Sequence, residues 1–286
     1  MSRFFLSLVK STIIRSRNIP MQKIPTISIR RSGKRSAPAI LFLHGFMGDA
    51  WDWEAVVNLL ESDFQCFLVD LPGHGRNRSP EVGVSWSMEN TARAVVYTLD
   101  NAGISSCFLI GYSMGGRLAL YLALKHPRYF QKVILEGASP GIRHPDERRQ
   151  RRELDEKRAE RLENSDFRTF LREWYRQPLF QGLPENDAFP NMLQRRLRNN
   201  PHHLAKVLRE LGTGAQPSLW NELPEVKIPL LLMVGEKDKK FRAIAEEMCQ
   251  TSSRIRMAVI PGCGHNVHVE APQLFTKQVK RFFFKG

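Results

Sequence analysis

The stretch SCFLIGYSMGGRLALYLALKHP, residues 106–127, decides how this chain is read. It opens as a short apolar run, turns at Gly111-Tyr112-Ser113-Met114-Gly115, and then carries apolar residues at helical spacing up to Pro127. The first part reads as a strand buried on both faces, the last as a helix ended by proline. A helix that begins where a strand ends needs a tight turn, and glycines on both sides of Ser113 permit one. The pattern G-x-S-x-G is weak by itself; its placement between strand and helix is what gives it meaning. Arg117 is the odd member. Its charge sits in the first helical turn, facing the positive end of the helix dipole. The helix around it, LALYLAL, is almost wholly apolar, so burial is expected, and a buried charge is costly unless paired. One resolution is a surface arginine that snorkels to an external carboxylate. The other is a ligand carboxylate, held bidentately.

Working outward, the same alternation recurs. IPTISIR (24–30), ending in a turn at Ser32-Gly33, reads as an edge strand, and AILFLHGF (39–46), QCFLVDLPGHG (65–75), KVILEGAS (132–139), IPLLLMVGEKD (228–238) and RMAVIPGCGH (256–265) as buried strands. Helical spacing marks WDWEAVVNLLES (51–62), SMENTARAVVYTLDNAG (87–103), FRAIAEEMCQ (241–250) and APQLFTKQVKRFFF (271–284). Strands alternating with helices imply an α/β fold with a mainly parallel sheet. Residues 140–227 break the rhythm: they hold no clear buried strand and are rich in Arg and Glu, as in ERRQRRELDEKRAERLE (147–163) and LQRRLRNN (193–200). Most of that charge is expected to be a solvated helix face. Its position points to a helical cap inserted over the strand ends, which divides the chain into a core (23–139 and 228–286) and a cap (140–227).

The formal net charge of +14 suggests nucleic acid until it is located. Nine Lys or Arg and no acid fall in residues 1–48, while the other 238 residues hold 34 basic and 29 acidic residues. No nucleic-acid module accompanies this excess, so a nucleic-acid partner is not expected. The leader, residues 1–22, is Arg- and Ser-rich and acid-free, like an organelle transit peptide, or else an extended start before Met21. A cytoplasmic location is expected, with a plastid as the alternative if the leader is a transit peptide. No apolar run is long enough for a transmembrane helix. Cys66, Cys107, Cys249 and Cys263 match no zinc spacing, and no metal or organic cofactor is expected. A monomer or weak homo-oligomer is expected.

Three strand ends carry chemistry. Ser113 follows 106–112, Asp238 ends 228–238 and His265 follows 256–264, in the chain order Ser, Asp, His of α/β-hydrolases. A serine needs an imidazole to take its proton, and the imidazole needs a carboxylate to fix its tautomer. Glu236 and Glu136 are alternative acids. His44, His74 and His268 are read as hydrogen-bonded structural residues, and Asp70 as a loop residue. An oxyanion hole in this fold uses the N–H after the nucleophile and one from the loop after an early strand, which here are Met114 and Phe46.

With these residues in place, LHGFMGDAWDW, DLPGHG, GYSMGGRLALYLALKHP, LEGASPGI, WYRQPLF, LGTGAQPSLW, GEKDKKF and GCGHNVHVEAP resemble the 2-succinyl-6-hydroxy-2,4-cyclohexadiene-1-carboxylate synthase family of menaquinone and phylloquinone biosynthesis, a lyase of the α/β-hydrolase fold. The resemblance implies elimination of pyruvate from a polycarboxylate enolpyruvyl-cyclohexene, with the triad abstracting a proton. It implies substrate contacts from Tyr112 and Arg117 and from Trp174 in the cap, and two cap arginines on carboxylates. Arg151 and Arg198 are the matches, with Arg152 and Arg196 as alternatives. A serine hydrolase of the same fold, acting on an ester, thioester or C–C bond, stays open because the triad alone does not separate the two.

Overall fold

The computed structural model describes residues 24–25, 27–77 and 83–284. The basic leader falls outside them. Among the described residues, seven strands form one sheet: β1 (Ser28–Gly33), β2 (Ala39–Leu43), β3 (Gln65–Asp70), β4 (Cys107–Tyr112), β5 (Phe130–Glu136), β6 (Leu230–Gly235) and β7 (Ile255–Ile260). Their order is β1-β3-β2-β4-β5-β6-β7, and only β1 runs antiparallel to its neighbour. The edge strand begins later than its alternating pattern suggests. Pairing with β3 carries it through Ser32 and Gly33, opposite Cys66 and Gln65, where the sequence pattern predicts a turn.

Helices α1 (Glu54–Leu60), α2 (Met88–Asn101) and α3 (Met114–Lys125) connect the first strands. Then come α4 (Pro145–Asn164), α5 (Phe167–Tyr175), α6 (Phe189–Arg196) and α7 (Pro201–Leu211), followed by α8 (Lys239–Cys249), α9 (Val267–Glu270) and α10 (Pro272–Phe284). Period-2 side chains sort the sheet into two faces. Leu41, Leu43 and Leu109 enter a core with Leu118, Leu122 and Val95, while Ile40, Phe42 and Ile110 enter one with Trp53, Phe275 and Val279. Cys66 and Cys107 are buried in β3 and β4, and burial pushes each thiol up to about 12.

Between β5 and β6 the chain leaves the sheet as an inserted helical lid, α4–α7, with an apolar centre of its own that includes Leu162, Phe170, Met192 and Leu204. The helical reading of 193–200 holds only as far as Arg196, and the next helix starts after the stretch. α6 ends at Arg196, Asn200 accepts from His202 N and His203 N, and Pro201 opens α7. An Asn cap with proline at the first helical position is a start signal that the arginine run obscured. Beyond α7, Leu219, Trp220 and Leu223 return to the core.

Candidate active site

The site is assembled at the carboxyl ends of β4, β6 and β7, as ligand sites in open α/β sheets are. Ser113 has φ 49° and ψ −106°, a left-handed conformation that a non-glycine residue holds only when its surroundings enforce it. β4 delivers it, α3 starts at Met114, and Ser113 N donates to Glu136 O at 2.8 Å. Gly115 makes the turn possible: a Cβ there would lie 2.3 Å from Leu43 O. Gly137, with φ +54°, leaves room for the imidazole, since a Cβ would sit 2.6 Å from His265 Cε1.

His265 and Asp238 are both buried. His265 Nδ1–H donates to Asp238 Oδ2 at 2.6 Å, which leaves Nε2 to accept from Ser113 Oγ at 3.3 Å. Asp238 also caps α8, its Oδ1 accepting from Phe241 N at 3.2 Å. This geometry suits proton transfer from Ser113 to His265.

The other acids and imidazoles are engaged elsewhere. Glu136 is fully buried and accepts from His268 N at 3.0 Å and His268 Nδ1 at 2.8 Å. Glu236 accepts from Gly262 N. His44 Nε2 accepts from Leu71 N, and His74 Nε2 from Met47 N. Burial, with His44 close by, holds His74 well below the ordinary histidine range and so neutral. Asp70 ties its loop together through Ala50 N and Arg76 N.

A cavity of about 1010 Å³ opens above Ser113, between sheet and lid. Phe46 and Met114 line it, and among the described residues neither of their backbone N–H groups has a hydrogen-bond acceptor. A pair of free donors beside a nucleophile is what an oxyanion hole requires. Tyr112 lines the cavity too, with its hydroxyl donating to Asn266 Oδ1 at 2.7 Å. Trp174 faces Phe46 across the lid seam, their rings 5.4 Å apart.

The arginines sort themselves sharply. Arg117 is 9% exposed and lines the cavity. Its side-chain partner among the described residues is Gln216, whose Oε1 accepts at 2.9 Å, and no carboxylate pairs with it. Burial and the nearby charge of Arg151 pull it down to about 10. Arg151 lines the cavity and donates to Asp155 Oδ1 at 2.8 Å, while Arg152 turns out to Gly214 O. Arg198, expected on a carboxylate, is exposed and lies outside the cavity lining. Arg196, its alternative, lines the cavity, 3% exposed. Arg196 is the last residue of α6, whereas Arg198 lies beyond it in the turn before α7.

Sequence reading missed what holds Arg196. Asp52, in the 3₁₀ turn Ala50–Trp53 of the core, accepts bidentately from it at 2.9 and 2.7 Å, and Arg196 Nε donates to Tyr175 Oη. Burial works against both charges, but each outweighs that cost for the other, so Asp52 lies below the usual carboxylate range and Arg196 above that of arginine. Arg158, Lys237, Lys239 and Lys240 are the other cations of the lining. Among the described residues, the cavity wall therefore holds seven cationic side chains and one carboxylate, Asp238. No group of three or more His, Cys, Asp or Glu among them is placed to hold a metal ion.

The alpha/beta hydrolase fold family matches residues 38–272. A 2-succinyl-6-hydroxy-2,4-cyclohexadiene-1-carboxylate synthase of Enterobacter sp. (strain 638) is 35% identical, covering 85% of this chain and 90% of its own. The protein of the same name from Escherichia coli O1:K1 / APEC is 33% identical, covering 85% and 92%. The solved structure of MenH from S. aureus superposes with a TM-score of 0.84 at 32% identity, over 91% of this chain and 98% of that one. With a Ser-His-Asp network under a helical lid and relatives alike over nearly their whole length, the chain belongs to the 2-succinyl-6-hydroxy-2,4-cyclohexadiene-1-carboxylate synthase family of the α/β-hydrolase fold.

Proposed function

We propose that this chain eliminates pyruvate from 2-succinyl-5-enolpyruvyl-6-hydroxy-3-cyclohexene-1-carboxylate to give 2-succinyl-6-hydroxy-2,4-cyclohexadiene-1-carboxylate, in menaquinone or phylloquinone biosynthesis. The observation that carries this reading is the cationic wall facing Ser113, in which Arg117 and Lys240 have no carboxylate partner among the described residues. A neutral ester has no use for it; a substrate with several carboxylates does.

Turning a 3-cyclohexene into a 2,4-cyclohexadiene requires loss of the C2 proton, which is acidic because it lies α to the succinyl ketone. Ser113 Oγ takes that proton as its own passes to His265 Nε2, and Asp238 stabilises the imidazolium. The N–H groups of Phe46 and Met114 receive the enolate oxygen. The electron pair then forms C2=C3, the ring double bond shifts to C4=C5, and the C5–O bond breaks. The departing enolpyruvate gains a proton on its methylene carbon and becomes pyruvate, which balances the proton held by His265. The arginines hold the carboxylates, so that the C2–H bond is aimed at Ser113.

The test is pyruvate release from the enolpyruvyl substrate, read through lactate dehydrogenase. Ser113→Ala should lower kcat about 10³-fold or more. A wild-type chain that cleaves simple esters or thioesters but releases no pyruvate would return the assignment to a serine hydrolase. Among the described residues, no helix is long and apolar enough to cross a membrane.

A further inference from the structure

Arg158 was not singled out by its sequence, yet it lines the cavity. It lies three residues beyond Asp155 and seven beyond Arg151, so all three share one face of α4. Asp155 does not neutralise it closely. Asp155 Oδ1 accepts from Arg151 Nε at 2.8 Å and Oδ2 from Gly214 N at 3.2 Å, while Arg158 stands 3.7 Å away. The Arg158 guanidinium is instead held by neutral groups. It donates to Gln177 Oε1 at 3.1 Å and lies over the Trp174 ring at 5.3 Å. Gln177 is itself oriented, because its Nε2 donates to Trp174 O at 2.9 Å. A half-buried guanidinium fixed by a neutral amide and an aromatic face keeps its charge available to a ligand.

Lys240, on α8 of the core, lines the same cavity and pairs with no carboxylate among the described residues. Burial first, and then the charges of Arg151 and Arg158, lower its pKa, so these cations sense one another across the seam between lid and core. Such a set is at odds with itself until an anion enters.

We propose that Arg158 and Lys240 form a second carboxylate site, distinct from Arg117, in which one carboxylate of a dicarboxylate substrate bridges lid and core. This rests on the function proposed above. Specificity for a substrate with two carboxylates then comes from two sites, each reading one of them.

The experiment is calorimetric binding to the full chain at fixed ionic strength. The probes are 2-(3-carboxypropanoyl)benzoate, with two carboxylates, and its two single-carboxylate counterparts, 4-oxo-4-phenylbutanoate and 2-butanoylbenzoate. Arg158→Gln and Lys240→Gln should each weaken the dicarboxylate and the same one of the two monocarboxylates about tenfold. The other monocarboxylate should stay within about twofold of wild type. Arg117→Gln should reverse that choice. Arg158→Lys, which keeps the charge, should bind the dicarboxylate more tightly than Arg158→Gln does. Equal weakening of all three probes, no weakening of any, or an Arg158→Lys no better than Arg158→Gln would overturn the second site. Should Arg158→Gln fail to fold, Lys240→Gln carries the test. Binding needs no turnover, so a chain that releases no pyruvate but shows the two-site pattern would fail only the proposed reaction.

Discussion

Two arginines enter the same cavity buried to a similar degree, and they are treated in opposite ways. Arg196 arrives from the lid and finds Asp52 of the core waiting, with two hydrogen bonds and a buried counter-charge. Arg117 arrives from the first turn of α3 and finds, among the described residues, only the neutral Gln216. The first arginine is satisfied by the protein and fastens lid to core. The second is left with a charge that the fold does not balance, at the unfavourable end of a helix. Polar burial without a counter-charge lowers stability, so it marks a place where a ligand completes the electrostatics.

The sharpest way to break this contrast is to remove the partner of the satisfied arginine. Asp52→Ala should destabilise the fold by about 3–5 kcal/mol, because it strands Arg196 as an unpaired buried charge. Urea unfolding at neutral pH measures it. The pH dependence has a definite sign. Asp52 is depressed in the folded state, so its contribution is full above the ordinary carboxylate range and is lost as pH falls through its folded value. The stability gap between wild type and Asp52→Asn should therefore close on strong acidification, and a gap independent of pH would contradict the pairing.

Arg117→Gln should do the reverse, with melting almost unchanged or slightly raised and kcat/KM for the anionic substrate reduced by about 2–3 kcal/mol. Its pKa of about 10 supplies a second readout. The charged form holds a carboxylate, so anion affinity should fall as pH rises through about 10 in wild type and should not show that step in Arg117→Gln. Since its folded value lies below the unfolded one, the stability penalty is full while Arg117 is charged in both states and is relieved above the folded value.

The smallest effect is expected at the lid surface. Arg209 binds Glu156 and Glu163, three visible charges in one cluster, but all are partly open to water. Arg209→Ala should cost under about 1 kcal/mol, less at high salt, with no change in turnover. A larger loss would mean that surface pairs, rather than the Asp52–Arg196 pair, hold the lid.

The chain itself determined a good deal. Continuous apolar runs specify strands buried on both faces, and Gly111, Gly115 and Pro127 bracket the turn and helix that present Ser113. Strand ends then place Ser113, Asp238 and His265 on one edge of the sheet, because parallel strands share a direction. Local patterns of this kind survive in one dimension. What only the tertiary structure decided is where the charges go. In α4, fourteen of the twenty residues are charged and the few apolar ones form no clear stripe, so Arg151 and Arg158 cannot be separated from Arg152 by pattern. The same holds for Arg196 and Arg198, because pattern does not show that α6 stops at Arg196 and leaves Arg198 in the turn before α7. The partner of Arg196 lies 144 residues away, in a turn whose sequence gives no sign of it. Apolar order is written into residue spacing, whereas a counter-charge is chosen by distance in space, and distance exists only once the chain has folded.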